Sequence, residues 1–265
     1  MRLLDAAMRR LSLGRSDTPT ATIYAGKRRL TLAGTHRSYM RPLHGWQANG
    51  SMIASATANV PRNSLCLDIG AHVGVTAITL AVRRPDCRII ALEPMPGAAA
   101  CLRQNLQANR IENVTVIEAA AAAEPGEIAL TDNGPWSTAA PGGVMCRAVR
   151  IGDITDESPA FIKIDAEGHE PDALAGAGRV LWGSLVLMEF NAWTLLDHHY
   201  DPLRFAEAIW ECADIEAVFY REQRCAVPGA ARDFLHTNLT RHACVSDLLF
   251  RLRKPLPSLG EMVGR

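Results

Sequence analysis

The chain has 265 residues, 48% of them hydrophobic, and 28 Lys+Arg balance 28 Asp+Glu to a formal net charge of zero. That length suits one large α/β domain with a sizeable core. A neutral balance lacks the basic footprint of a protein that grips a phosphate backbone, so no nucleic-acid partner is expected, and no apolar run approaches the roughly 20 residues of a membrane-spanning helix.

In chain order, residues 1–15 read as a frayed terminal helix with Arg2, Arg9, Arg10 and Arg15 among leucines. A basic amphipathic helix on a membrane surface or partner is the alternative. The apolar centre of a signal peptide is missing. Residues 44–61 predict a helix leading into the first core strand, and residues 1–60 as a whole an extension or lid. From residue 64 the chain alternates: strand 64–70, helix 74–84 broken by Pro85, strand 87–94, helix 96–110 opening on Pro96, strand 113–120. Segments 126–134 and 143–154 predict two strands joined by a Gly/Pro-rich loop, a hairpin insertion rather than another helix. Strand 160–168, helix 170–181, strand 184–191 and helix 201–213 resume the alternation, and 215–222 and 244–252 read as closing antiparallel strands. Apolar strands alternating with helices predict a mostly parallel sheet covered on both faces. The seven cysteines include no C-x-x-C pair, and Cys66 and Cys244 sit in apolar runs. They read as reduced core residues of a cytoplasmic protein, with no zinc site expected.

The first strand ends in "DIGAHVG", residues 68–74. A dinucleotide fingerprint requires G-x-G-x-x-G, with its second glycine admitting a pyrophosphate. Here only Gly70 and Gly74 are present, with Ala71, His72 and Val73 between them, and Asp68 would repel two phosphates. A cationic, phosphate-free ligand such as S-adenosylmethionine, with its ammonium and sulfonium, fits this acid better. Gly70 permits the bend and Gly74 a close approach of helix to strand. Glu93, at the tip of the second strand, suits the two hydroxyls of a ribose.

A second cluster, "FIKIDAEGHE" at 161–170, crowds Lys163, Asp165, Glu167, His169 and Glu170 at one strand end. Buried unpaired charges are costly, so some of them face a polar cleft or pair with one another. Ligands of open parallel sheets bind at the carboxyl ends of the strands, which places Asp68, Glu93, Asp165 and Glu189 along one edge. Glu170 and Asp172 read as ordinary acids at the favourable end of the next helix.

These stretches, together with "RIIALEPMP", "NVTVIEAAAA" and "LVLMEFN", resemble the FkbM-type methyltransferases over roughly residues 60 to 191. The K-x-D-x-E-G-x-E run at Lys163, Asp165, Glu167, Gly168 and Glu170 is the most specific part. The resemblance implies a Rossmann-like, seven-stranded, mostly parallel class I fold over 61–265, with the hairpin inserted before strand four. It also implies S-adenosylmethionine-dependent O-methylation of a small-molecule, sugar or glycan acceptor. The cofactor set expected from it is Asp68, Gly70, Ala71, His72, Gly74, Glu93, Pro94 and Ala120.

In-line methyl transfer to oxygen requires alignment of the acceptor and removal of its proton. Asp165, Glu167 and His169 are the catalytic candidates; His169 is the base by its ordinary pKa. Asp165 is an alternative base, or holds Mg2+ with Glu167 or Glu189. His198 and His199 follow the fifth strand, where an acceptor would approach, and Trp136 and Trp193 are candidates to stack on a sugar. Two other functions compete. A nucleic-acid methyltransferase is disfavoured by the neutral charge and by "IDAEG" standing where amino-methylating enzymes carry an Asn-Pro-Pro-Tyr-like motif. A non-catalytic cofactor-binding scaffold predicts ligand uptake without turnover.

Overall fold

The computed structural model describes residues 18–47, 51–131, 137, 139 and 141–263. The expected terminal helix at 1–15 and the stacking candidate Trp136 lie outside the described residues. The described chain opens with a feature that sequence patterning missed, an antiparallel hairpin of β1 (Thr20–Ala25) and β2 (Arg28–Ala33). Short helices α1 (Arg37–Leu43) and α2 (Met52–Ala56) follow, so the helix expected over 44–61 is confined to five residues. The core then alternates as expected: β3 (Leu65–Ile69), α3 (Val75–Arg83), β4 (Arg88–Leu92), α4 (Pro96–Ala108) and β5 (Val114–Ile117).

The third core strand stops at Ile117, three residues before its expected end. Ala120–Ala121 forms β6 of a separate small sheet, parallel to β8 (Val144–Val149), which pairs antiparallel with β7 (Gly126–Leu130). This is the inserted hairpin. The core resumes with β9 (Phe161–Ile164), α5 (Glu170–Ala177), β10 (Leu185–Asn191), α6 (Ala192–Asp197) and α7 (Pro202–Cys212). Gly178, at φ 55, ends α5 four residues early, and the chain continues as a 3-10 turn. β11 (Ala213–Tyr220), β12 (Gln223–Cys225), α8 (Ala231–Arg241), β13 (Val245–Leu252) and α9 (Leu259–Met262) complete the described fold.

The main sheet has the order β12-β11-β13-β10-β9-β3-β4-β5. Strands β5, β4, β3, β9 and β10 run parallel, and β13 is antiparallel to both β10 and β11. Seven of these strands reproduce the class I methyltransferase arrangement, and the three-residue β12 adds an eighth at the edge. Alternation along β3 sends Leu65, Leu67 and Ile69 to the face covered by α5 and α7, while Cys66 joins the opposite core with α3 and the amino-terminal hairpin. Asp68 shares the Cys66 face, and so does its register partner Lys163 on β9.

That second face carries an amide zipper. The Asn105 side chain receives the Ala33 N–H at 2.7 Å and donates to the carbonyls of Ala33 (2.8 Å) and Val73 (2.9 Å). One helical turn later, Asn109 receives the Thr31 N–H at 3.2 Å and donates to the Thr31 carbonyl at 2.9 Å. Four helical residues advance about 6 Å, close to the two-residue repeat of a strand, so the two asparagines meet alternate residues of the β2 edge. They satisfy that edge in place of a third strand.

Candidate functional site

A cavity of about 480 Å³ lies between the sheet and the amino-terminal segment. Its floor comes from the turns after β3, β4 and β9, with Glu189 of β10 and Asp247 of β13; Tyr39, Trp46, Met52 and Ile53 face them. Of the expected cofactor residues, Gly70, Ala71, His72, Glu93, Pro94 and Ala120 are on the wall. Asp68 and Gly74 are not. Asp68 is fully buried one layer behind the turn, and Gly74 starts α3.

Local chemistry explains the turn. Gly70 has φ 76, and a Cβ there would run into the Asp165 carbonyl, so only glycine lets β3 and the turn after β9 approach this closely. Gly74, at φ 96, leaves room for the Leu102 side chain of α4; the close approach is to that helix rather than to the sheet. His72, at φ 48, sits in the left-handed region although it is not glycine. It is only 8% exposed and packs edge-on against Tyr39 at 4.5 Å. Burial, and then His36, push its pKa down to about 4, which leaves a neutral ring on the cavity wall, both nitrogens without a protein partner. Glu93 accepts the His72 N–H at 2.7 Å and the Met95 N–H at 2.8 Å, one per carboxylate oxygen. It thereby clamps the glycine turn to the end of β4.

The cavity is short of positive charge. Lys163 donates to Asp165 at 2.6 Å. Burial lowers the Lys163 pKa, but Asp165, Asp68 and Asp247 outweigh it and hold the ammonium above its usual range. Against this one lysine stand Glu93, Asp165, Glu167, Glu189, Glu222 and Asp247 on the same wall. Glu189 and Asp247 are direct cross-strand partners, an unfavourable pairing of like charges. Burial is the main reason their pKa values rise, that of Asp247 to about 7; Asp165 adds to the shift in both cases. Glu93 is pushed up to about 7, chiefly by burial and against the pull of its two amide donors, and Asp68 to about 6, again by burial. Glu222, at the tip of the β11–β12 hairpin, accepts the Met52 N–H at 2.6 Å and ties that hairpin to the amino-terminal segment.

The turn after β9 divides the second cluster. Glu170 is buried and accepts from the amides of Ala166 (2.8 Å) and Gly168 (3.1 Å), so it braces the turn. Glu167, at φ 50, reaches the wall, and burial followed by Asp165 and Glu170 raises its pKa to about 8. His169 also reaches the wall; its Nδ1 lies 3.1 Å from Asp172 Oδ2, which takes the Tyr200 hydroxyl at 2.9 Å. Asp172 thus does more than the helix-end role expected of it. His198 packs against the His169 ring at 4.1 Å, and burial, then His169, lower its pKa. His199 and Trp193 are exposed and off the wall. Among the described residues no group of three or more His, Cys, Asp and Glu side chains is placed to hold a metal ion, so the Mg2+ ligands expected at Asp165, Glu167 and Glu189 are not gathered into one.

The match to a family model for the methyltransferase FkbM domain spans residues 68–207. The chain belongs to the FkbM methyltransferase family. Residues 68–207 carry that family's methyltransferase domain. A release factor glutamine methyltransferase of Escherichia coli (strain K12) is 35% identical over 68 residues, 25% of this chain and 24% of that protein. A ribosomal RNA small subunit methyltransferase G of Pseudarthrobacter chlorophenolicus is 26% identical over 102 residues, 37% of this chain and 47% of that protein. The chain therefore spans about a quarter to a half of the length of these relatives. A crystal structure of methyltransferase FkbM from Methylobacillus flagellatus KT aligns over 51% of this chain and 36% of that chain, at 24% identity and a TM-score of 0.40. Among the described residues, no helix is long and apolar enough to cross a membrane.

Proposed function

We propose that the cavity holds S-adenosylmethionine and that the enzyme methylates a hydroxyl of a small-molecule, sugar or glycan acceptor. The observation that carries this reading is the acid-rich wall with its single lysine and its in-register Glu189–Asp247 pair. Such a wall gains from a cation and loses from a phosphate. The fit extends to the parts of the cofactor. Each Glu93 oxygen, occupied once by a backbone amide, keeps a lone pair for a ribose hydroxyl. Pro94, Met95, Ala120, Ile128 and Leu130 give an apolar slot for a nucleobase, and the Gly70–His72 turn faces the amino-acid portion. Bound there, the cofactor supplies an electrophilic methyl group.

Three residues serve the acceptor. Asp165 is held by Lys163 and shapes the field. Glu167 reaches the same wall from the left-handed turn after β9. His169 Nε2 is left to take the hydroxyl proton. No step is routed through Mg2+, because its ligand set is not assembled. Residues 18–60 act as the lid over this chemistry through Tyr39, Trp46, Met52 and Ile53.

Saturating S-adenosylmethionine should raise the melting temperature, with a gain of about 2.7 kcal/mol at one hundred times Kd. Glu93→Ala should weaken that shift at least tenfold in Kd, and an unchanged shift rejects the ribose assignment. Cofactor consumption against sugar and polyketide hydroxyls, with and without EDTA, tests the acceptor class. Ribosomal RNA and a release-factor peptide belong in the same screen, because the relatives named above act on such targets, and turnover on either alone would replace the hydroxyl reading.

A further inference from the structure

We propose that Asp172 and Tyr200 are positioning residues that fix His169 in the tautomer with an unprotonated Nε2, which makes His169–Asp172–Tyr200 the proton-accepting unit of the site. This inference rests on the methyltransferase reading above and adds two residues to it.

The hydrogen-bond chemistry leaves one arrangement. A carboxylate only accepts, so at 3.1 Å from Asp172 Oδ2 the Nδ1 of His169 must carry the hydrogen. The neutral ring then has its lone pair on Nε2, a buried nitrogen with no partner in the protein, on a residue that lines the cavity. Tyr200 holds Asp172 in place: its hydroxyl donates to the same Oδ2 at 2.9 Å, and the phenol is buried at 7% exposure. The backbone holds Tyr200 in turn, through its N–H to the Leu195 carbonyl at 2.9 Å and a bridge to Val263. His198 closes one face of the His169 ring, and Glu170 fixes the turn that carries it. Rotation of the imidazole therefore breaks one bond and one ring contact without offering a replacement.

The step balances. The oxygen–methyl bond forms as the sulfur–methyl bond breaks, sulfur leaves as a neutral thioether, and the acceptor proton passes to Nε2. The imidazolium so formed stands against the Asp172 carboxylate, where its charge is stabilised. In acyl-transfer triads the acid plays this same part, and its exchange for an amide traps the wrong tautomer.

The decisive measurement is the ¹⁵N spectrum of His169 in the full-length protein, alone and with S-adenosylhomocysteine. The expected result is Nδ1–H with an unprotonated Nε2 in the native protein, a mixed or inverted tautomer in Asp172→Asn, and retention of the native tautomer with faster ring exchange in Tyr200→Phe. Nε2–H in the native protein overturns the proposal, and this readout needs neither a folded variant nor a known acceptor. With any hydroxyl acceptor that the panel yields, Asp172→Asn should lower kcat about a hundredfold while KM stays within twofold. A change confined to KM would assign Asp172 to acceptor binding and overturn the proposal. Failure of S-adenosylhomocysteine to shift the melting temperature would instead refute the cofactor reading, and the native tautomer would still be decided.

Discussion

Glu93, Glu167 and Asp247 share a cavity wall with a single buried lysine, so their protonation depends on what fills the cavity. Burial raises the three pKa values to about 7, 8 and 7, each above the ordinary carboxylate range. For groups shifted this way the stabilisation belongs to the protonated form. It is complete below the unfolded pKa and is lost as pH rises through the folded value. The empty protein should therefore melt higher near pH 5.5 than near pH 8. A bound cation favours the carboxylates and reverses the shift, so S-adenosylmethionine uptake at pH 7 should release protons and tighten as pH rises from 6 to 8. Calorimetry in two buffers of different ionisation enthalpy measures that release, and its absence would remove the acidic wall from the binding account. Several of these side chains were legible in the sequence, because Glu93, Asp165 and Glu167 stand at the ends of apolar runs. Asp247 left a comparable mark, an acid within an otherwise apolar strand. Asn105, Tyr39 and Tyr200 left none, since their partners are 28 to 72 residues away and no spacing rule connects them.

At the level of elements, the strands and helices expected between residues 64 and 213 emerge in order, because the buried strands are apolar and those helices open or close on Pro or Gly; α6, capped by Asn191, carries no such mark and was not expected. The missed elements lack those marks. Helix α8 buries only Ala231, Phe234 and Asn238, too few to show a periodic stripe. The β11–β12 hairpin turns on Arg221 and Glu222 at φ 49 and 67, positions where Asn or Gly is the usual signal. The turn after β3 gives the sharpest test at this scale. Gly70→Ala places a methyl group against the Asp165 carbonyl in a left-handed conformation. Strain of that kind costs about 1–3 kcal/mol, and steric overlap adds a similar amount. Urea denaturation should show a loss of at least about 2 kcal/mol, with cofactor binding abolished. A variant of near-native stability would mean that β3 and the turn after β9 are less closely packed than described.

Across the whole molecule, the amino-terminal segment and the methyltransferase sheet share one core: Ile23, Leu30, Leu32 and Met40 pack with Val73, Ile78 and Leu102. Composition gave no hint of this, because the segment before residue 64 is outside the strand–helix alternation and its contacts with the sheet domain join residues far apart in the sequence. Asn105 is the joint. It is 2% exposed and bonds β2 and the cofactor turn at once. Asn105→Ala leaves the buried Val73 carbonyl and the half-buried Ala33 amide and carbonyl without this partner, at a cost of about 1–3 kcal/mol. The same substitution should weaken cofactor affinity, because the Val73 carbonyl lies in the glycine turn. Hydrogen exchange should then quicken at residues 28–33 and 70–74 together, and quickening at only one of them would uncouple the joint.

The asparagine zipper also limits how this enzyme can be redesigned for other acceptors. Any replacement entry segment grafted over the cavity would have to present an extended edge whose alternate residues match a helix turn, or the graft would float free of the catalytic body. Recognition of new substrates is thus easier to build from the wall residues of the amino-terminal segment than from exchange of that segment as a unit.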